Sequence, residues 1–447
     1  MIVLCGVLIT LVAGDVTAQQ IPQRLTLEEA QRLAQLHNPE YRRAQNDLEV
    51  AAANVTRSYG SLLPEFSSSL GFGGSYSSYL TGTGDLGEVV RGDRVESQSS
   101  SASQGLSLSM TLFDGGANLR GVAAARANQR ASDARLFASE NLLRAQVSRE
   151  YFAALRAMQL IALEERLLAA RKDDLERTEK QLALVASKYV DVLSARVEVA
   201  SAERSLDLAR GNAEKARLTL KSTLGIEGPA EFSLTTEPPA IFDPLALDEN
   251  GLVQRTLAGN PGVRAAEAAV RAAGQQASAA RGSRWPQITG SIRYNRSARD
   301  TAFRAFGELN PSANRDFGFN ISASLPLFTG FNTSYNIAQA NVAQENAREN
   351  LRSARLDAEL QVRSALIDIR SAYRSVQLAE RSAELSRERL TAAQEEYRLG
   401  ASGMDFFRLQ QYVQEEARTE RELVDARFTF VTALANLEER LGSPLER

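Results

Sequence analysis

From Asn332 to Leu399 the chain contains neither Gly nor Pro, and this constrains its fold more than any other feature. At 1.5 Å per residue, an unbroken helix of roughly 70 residues is a rod about 100 Å long. Helices of globular domains run about 8–20 residues, so such a length implies a coiled coil or a helical repeat. Asn118 to Ser187 is alike, interrupted only by Gly121. Val362, Ile369, Val376, Ala383, Leu390 and Tyr397 fall at steps of seven. Ala365, Ala372, Ala379, Ser386 and Ala393 follow three positions after the first five. In the earlier stretch Val147, Ala154, Ile161, Leu168, Leu175 and Leu182 keep the same step. Leu423, Ala426, Phe430, Ala433 and Leu437 extend the pattern to the last helix. A seven-residue apolar repeat imposes supercoiling, and small seam residues let two backbones approach closely.

The chain is also written twice. Asn38-Pro39 and Pro64 recur as Asn260-Pro261 and Pro286, both displaced by 222 positions (261 − 39; 286 − 64). Leu112-Phe113-Asp114-Gly115 returns as Leu327-Phe328-Thr329-Gly330, and the halves close on Leu224-Gly225 and Leu441-Gly442. Ordered landmarks of this kind mark a duplicated unit. Within each unit the pattern predicts two short helices, a strand pair, then two long helices. Residues 19–225 form the first repeat, with strands 66–76 and 105–113 and long helices 118–187 and 191–224. A linker or equatorial segment spans 226–248. Residues 249–442 form the second repeat, with strands 286–296 and 317–328 and long helices 332–399 and 405–441, before a tail at 443–447.

The strands separate a soluble rod from a channel. Ile288, Gly290, Ile292 and Tyr294 alternate with Gln287, Thr289, Ser291 and Arg293. Phe319, Ile321 and Leu325 share one parity with Phe317 and Ala323. In the first repeat Phe66, Leu70, Phe72 and Tyr76 share one parity, as do Leu106, Leu108, Met110 and Leu112. The opposite face is Ser, Thr, Asn, Gln and Gly with few charges, as in a wet barrel lumen. The apolar face is therefore expected against lipid. Membrane barrels start at about eight strands, and open edges are not tolerated in lipid. Four strands per chain thus require several copies, and three copies would give twelve. Arg91, Arg94, Arg299 and Arg304 are read as solvated charge of exterior loops, with contact to anionic lipid headgroups as the alternative. The rival reading is a soluble periplasmic coiled-coil scaffold or adaptor, its sheets packed on its own helices.

Residues 1–18, with an apolar run from Ile2 to Val12 and Val16-Thr17-Ala18 after it, resemble a secretory signal too short to span a bilayer. Cleavage after Ala18 would remove Cys5, the single cysteine. A net charge of −3, with Arg dispersed along the chain, gives no reason to expect nucleic acid. One His, His37, and no phosphate loop, Cys cluster or nucleophile elbow point to a protein without catalytic residues, metal ligands or cofactor.

Leu25-Thr26-Leu27-Glu28-Glu29-Ala30 through Asn38-Pro39-Glu40 resembles the opening of TolC-like outer membrane efflux proteins. The exit of each strand pair through Leu-Phe-x-Gly into a long helix is similar to that family as well. Asp191-Val192-Leu193-Ser194-Ala195-Arg196 and Tyr397-Arg398-Leu399-Gly400 resemble its elements near the helix turns. The resemblance implies a homotrimer in the outer membrane, with a shared twelve-stranded β-barrel and a periplasmic α-barrel of coiled-coil helices. It further implies a periplasmic adaptor and an inner-membrane transporter as partners, for efflux or for type I secretion of a polypeptide. Which cargo, whether drug, metal or polypeptide, stays open. Carried over residue by residue, it places the gate at Asp191, Tyr397, Asp405 and Arg408, with Tyr397 tied to Asp191 and Asp405 in the constriction. Arg408 stands where the family has a second aspartate, so Asp405 and Arg408 would neutralise each other. A capping role for Asp405 at the following helix is the competing reading. The adaptor-docking tips would be Ala186, Ser187, Lys188 and Tyr189 on one turn, and Gly400, Ala401, Ser402 and Gly403 on the other.

Overall fold

The computed structural model describes residues 24–80, 94–184, 188–228, 232–235, 240–301, 305, 311, 314–399, 403–442 and 445. The signal segment and the tip residues Ala186, Ser187, Gly400, Ala401 and Ser402 lie outside these. In the first half the elements are β1 (Arg24–Leu25), α1 (Leu27–His37), α2 (Pro39–Gly60), β2 (Glu65–Leu80), β3 (Arg94–Phe113), α3 (Ala117–Ala183) and α4 (Tyr189–Thr223). After β4 (Ser233–Leu234) and a short turn of 3-10 helix (Pro244–Ala246) come α5 (Glu249–Gly259), α6 (Pro261–Gly282), β5 (Gln287–Asp300), β6 (Asn314–Ser324), α7 (Asn332–Arg398) and α8 (Phe406–Leu441). Helix, helix, strand, strand, long helix, helix is thus the order of both halves. Helices α3 and α7 are each 67 residues long.

The repeated landmarks have physical causes. Thr26 and Glu29 close a reciprocal capping box at the start of α1. Asn38 ends α1 and starts α2. Its Oδ1 accepts from the backbone N–H of Glu40 (2.9 Å) and Tyr41 (3.1 Å), and its amide donates to the Thr223 carbonyl (2.9 Å). Pro39 then occupies the first helical position, where its missing N–H has no partner to lose. Gly225 has φ +69°, and a Cβ there would sit 2.3 Å from the His37 carbonyl oxygen. Gly115, at φ +67°, would bring a Cβ within 2.5 Å of the Gly282 carbonyl oxygen. Both therefore need a residue without a side chain.

The chain divides into two compact units. One comprises residues 1–44, 137–260 and 357–447, and it holds two apolar cores. In the first core, Tyr151 and Val147 of α3 pack with Leu25, Leu220 and Leu224. Strands β1 and β4 pair in parallel there, so part of 226–248 belongs to a small sheet. The buried Tyr151 hydroxyl donates to the Leu25 carbonyl (2.8 Å) and accepts from the Thr235 N–H (3.2 Å), locking this pair to α3. In the second core, Val362, Ile369 and Val376 of α7 are buried against Phe430, Leu434 and Leu437 of α8. The small residues Ala365, Ala372, Ala383 and Ala393 are buried along the same helix, as the heptads imply. The α3 seam behaves differently. Val147 and Ala154 are buried, but Ile161, Leu168, Leu175 and Leu182 are only half-buried.

The other unit comprises residues 45–136 and 261–356, and its centre is an antiparallel sheet in the order β2-β3-β5-β6. The strands extend beyond the alternating segments: β2 runs to Leu80, β3 starts at Arg94 and β5 reaches Asp300. Apolar alternation fades there, yet the ladder continues, supported by cross-strand hydroxyl pairs such as Ser75–Ser99 at 2.8 Å. Arg94 and Arg299 thus belong to strands instead of loops. In the opposite direction β6 stops at Ser324, so Leu325 is not a strand residue. Pro326 follows it, lacks the N–H a ladder needs, and restricts the residue before it.

Candidate functional site

Two features of the molecule could serve a channel, one in each unit. In the sheet unit, register places Phe66, Leu108, Ile292 and Phe319 across one rung of four strands. Ser68, Leu106, Tyr294 and Phe317 form the next. Parity puts Leu70, Phe72, Ile288 and Ile321 on this face as well; Leu112 lies at a register shift between Thr111 and Phe113, but a Cβ on Gly290 would touch it, which keeps it on the same face. The face is bare: Phe317 is 73% exposed, Phe319 72% and Phe66 67%. On the opposite face the hydroxyls of Ser67 and Ser107 pair at 2.6 Å, and those of Thr289 and Ser322 at 2.8 Å. Strands β2 and β6 end the sheet, each without a second strand partner among the described residues.

In the helical unit, the candidate gate gathers where α4 and α8 begin and α7 ends. Asp191 accepts from the backbone N–H of Lys188 at 3.0 Å, so it serves the start of α4. Asp405 caps α8, accepting from the Arg408 N–H at 2.8 Å. Arg408 turns its guanidinium back to the Gly403 carbonyl, also at 2.8 Å, and Gly403 has φ +97°. The side chains of Asp405 and Arg408 therefore do not neutralise each other by contact within this chain; the capping geometry is what forms. Tyr397 is half-buried beside them. Burial first, then the negative charges of Asp191 and Asp405, hold its phenol above the ordinary tyrosine value. Asp191 and Asp405 thus lie in the electrostatic reach of Tyr397, while each carboxylate spends a hydrogen bond on its own helix.

A polar ladder further along α3 was not anticipated. Glu164, Arg171 and Thr178, seven residues apart, are buried at 5%, 6% and 4% exposure. Arg421 of α8 grips Glu164 with two parallel bonds, Nε–Oε1 at 2.5 Å and Nη2–Oε2 at 2.9 Å. Arg171 donates to the Gln410 Oε1 at 2.8 Å. Burial pulls the Arg171 guanidinium down from its ordinary value, opposed by the nearby Glu198, Asp174 and Glu416. Burial likewise pushes the Asp174 and Glu416 carboxyls up. The equivalent seam on α7 is small instead of charged, and Ser386 bonds Thr419 of α8 at 2.6 Å. A signal was present in the sequence. Displacing the small α7 seam residues Ala379, Ser386 and Ala393 by 215, the offset between Leu112 and Leu327 (327 − 112), lands on Glu164, Arg171 and Thr178.

The geometry defines a class: long coiled-coil helices attached to an incomplete sheet with one apolar face. Comparison with known proteins supplies the family. The outer membrane efflux protein family model matches residues 30–226 and again 252–443, so the chain belongs to that family, whose place is the outer membrane. The outer membrane protein TolC of Vibrio cholerae is 24% identical over 343 residues, covering 75% of this chain and 74% of its own. The outer membrane efflux protein BepC of Brucella suis is 27% identical over 266 residues, and the match spans 59% of this chain and 54% of BepC. Among solved structures, CusC superposes with a TM-score of 0.77 at 20% identity, covering 93% of this chain and 92% of that one, which shows a shared fold.

Proposed function

We propose that this chain is the outer-membrane exit duct of a tripartite efflux or type I secretion system. Three copies complete one twelve-stranded barrel, and their helices form a periplasmic tunnel. The duct has no catalytic step of its own; it opens when a periplasmic adaptor and an inner-membrane transporter engage the helix tips near Lys188, Tyr189 and Gly403. The observation that carries this reading is the bare apolar face of a four-stranded sheet whose two edges lack partners. In lipid, unpaired edge groups are costly, and edge pairing with further copies removes them. A soluble scaffold would cover Phe317, Phe319 and Ile321 with its own helices, but they are exposed.

At the gate, we assign Tyr397, Asp191, Asp405 and Arg408 to the narrow end of the tunnel. A phenol held protonated by burial and by two neighbouring carboxylates remains a hydrogen-bond donor across the physiological range. Membrane fractionation followed by mass measurement in detergent tests the proposal. It expects detergent-dependent extraction, a particle three times the chain mass, and conductance in planar bilayers. A soluble monomer without detergent would end it.

A further inference from the structure

Sheet register sets Arg296 of β5 directly opposite Arg315 of β6. Both arginines share the parity of the apolar face, one rung beyond the Tyr294–Phe317 pair. Like charges directly opposite on neighbouring strands repel. Among the described residues no carboxylate on that face adjoins them. Across β3 the partner is Gln104, flanked by Ala102 and Leu106, and Ala298 follows on β5. The Arg296 Nε is buried with no hydrogen-bond partner among the described residues.

Position along the strand matters as much as charge. Trp285, 62% exposed, precedes β5 at the opposite end of the apolar band. Arg296 follows eleven positions later (296 − 285). At about 3.3 Å per residue and a tilt of about 40°, that is about 28 Å along the normal, close to the height of a hydrocarbon core. Beyond the arginines the same face is covered by the chain itself on β3 and β5, while Phe72 and Tyr76 of β2 stay exposed. Ala102, Ala298 and Ser100 are buried, and the Ser100 hydroxyl accepts from the Ala305 N–H at 3.2 Å. On β3 and β5 the rung of Arg296 is therefore the outer limit of the bare surface, just past the Tyr294–Phe317 pair, where headgroups begin.

We propose that Arg296 and Arg315 form a clamp for the phosphate of an outer-leaflet lipid headgroup. Two guanidinium forks side by side offer parallel donors to phosphate oxygens, and an anion between them removes their repulsion. The proposal rests on the reading that this sheet face touches lipid. The test uses the full-length protein in nanodiscs of phosphatidylcholine containing a small fraction of a phosphomonoester lipid, with native mass spectrometry counting retained lipids. Each arginine near a membrane surface contributes about a fivefold preference, so R296Q/R315Q should lower retention of the phosphomonoester lipid by about tenfold or more. R293Q/R299Q, with the same charge change on the opposite parity, should leave retention unchanged. Equal losses in both variants would show a general charge effect and overturn the clamp. Displacement of the lipid by millimolar inorganic phosphate would also overturn it, in favour of a free-anion site. Phe319→Cys, labelled in the same discs, separates the two layers of argument. A cysteine reactive toward membrane-impermeant reagents refutes the lipid-facing reading. A shielded cysteine with no headgroup preference refutes the clamp alone.

Discussion

At the residue scale, the most demanding positions are those that join elements. Gly225 combines a left-handed backbone with a 2.3 Å approach to the His37 carbonyl, so any Cβ must displace the chain that links α1 to α2. Gly225→Ala is expected to destabilise the helical unit by about 2 kcal/mol or more. Thermal unfolding followed by circular dichroism would register it, and Gly228→Ala is the comparison. Gly228 also has positive φ, but nothing lies within 4 Å of a Cβ there, so only the smaller conformational penalty remains. Glu416 gives a pH-dependent case. Burial, helped by Glu420, raises its folded-state carboxyl above the usual range. The folded state then holds this proton more tightly than the unfolded state does. Stability from this group is therefore greatest in acid and falls as pH rises from about 4, the ordinary glutamate value, through the raised folded value. Glu416→Gln should stabilise the protein at pH 7 by less than about 1 kcal/mol, given solvent screening, and do little near pH 4. A gain of equal size at both pH values would show that the charge is not the cause.

At the element scale, the sequence and the structure agree where one period dominates. The long helices α3 and α7 were legible because no Pro and, but for Gly121, no Gly interrupts them, and the α7 seam because its large and small residues alternate cleanly. The ends of β2, β3 and β5 were not, since Ser-rich strands such as 97–103 carry no apolar alternation and are held by backbone pairing. The end of β6 was legible in principle, because Pro326 forbids the ladder that Leu325 appeared to continue by parity. At the gate, residue identity left two readings of Asp405, a pair with Arg408 or a cap; the fold has the cap, and it alone reveals that Arg408 reaches Gly403. Strand parity itself is open to a direct test. Phe319 and Asn320 are neighbours on β6 with opposite faces. If the apolar face meets lipid, Phe319→Arg should cost about 2–4 kcal/mol and reduce barrel assembly, whereas Asn320→Arg should be tolerated. The fraction of heat-resistant oligomer on mild gels distinguishes the two, and equal sensitivity would remove the distinction between lumen and lipid.

At the scale of the whole molecule, selectivity should follow from the charges that three copies bring to one ring. Each copy would contribute Asp191 and Asp405 as anions, Lys188 and Arg408 as cations, and a neutral Tyr397. These formal charges cancel, so the ring should attract cations weakly compared with an all-acidic constriction. Because Arg408 is held by the Gly403 carbonyl instead of by the Asp405 carboxylate, its charge is not quenched by direct contact and, in the proposed ring, would still act on the pore. Arg408→Gln should therefore shift the reversal potential in a salt gradient toward cation selectivity. Asp405→Asn is the proper converse, since Asn caps a helix about as well as Asp and removes only the charge, whereas Ala would also sacrifice roughly 1 kcal/mol of capping. That variant should shift the potential the other way with unchanged helix stability. Strong cation selectivity in the unmodified channel, abolished by Asp405→Asn but indifferent to Arg408→Gln, would mean that the arginine lies outside the conducting path and that the balanced ring is the wrong description of this gate.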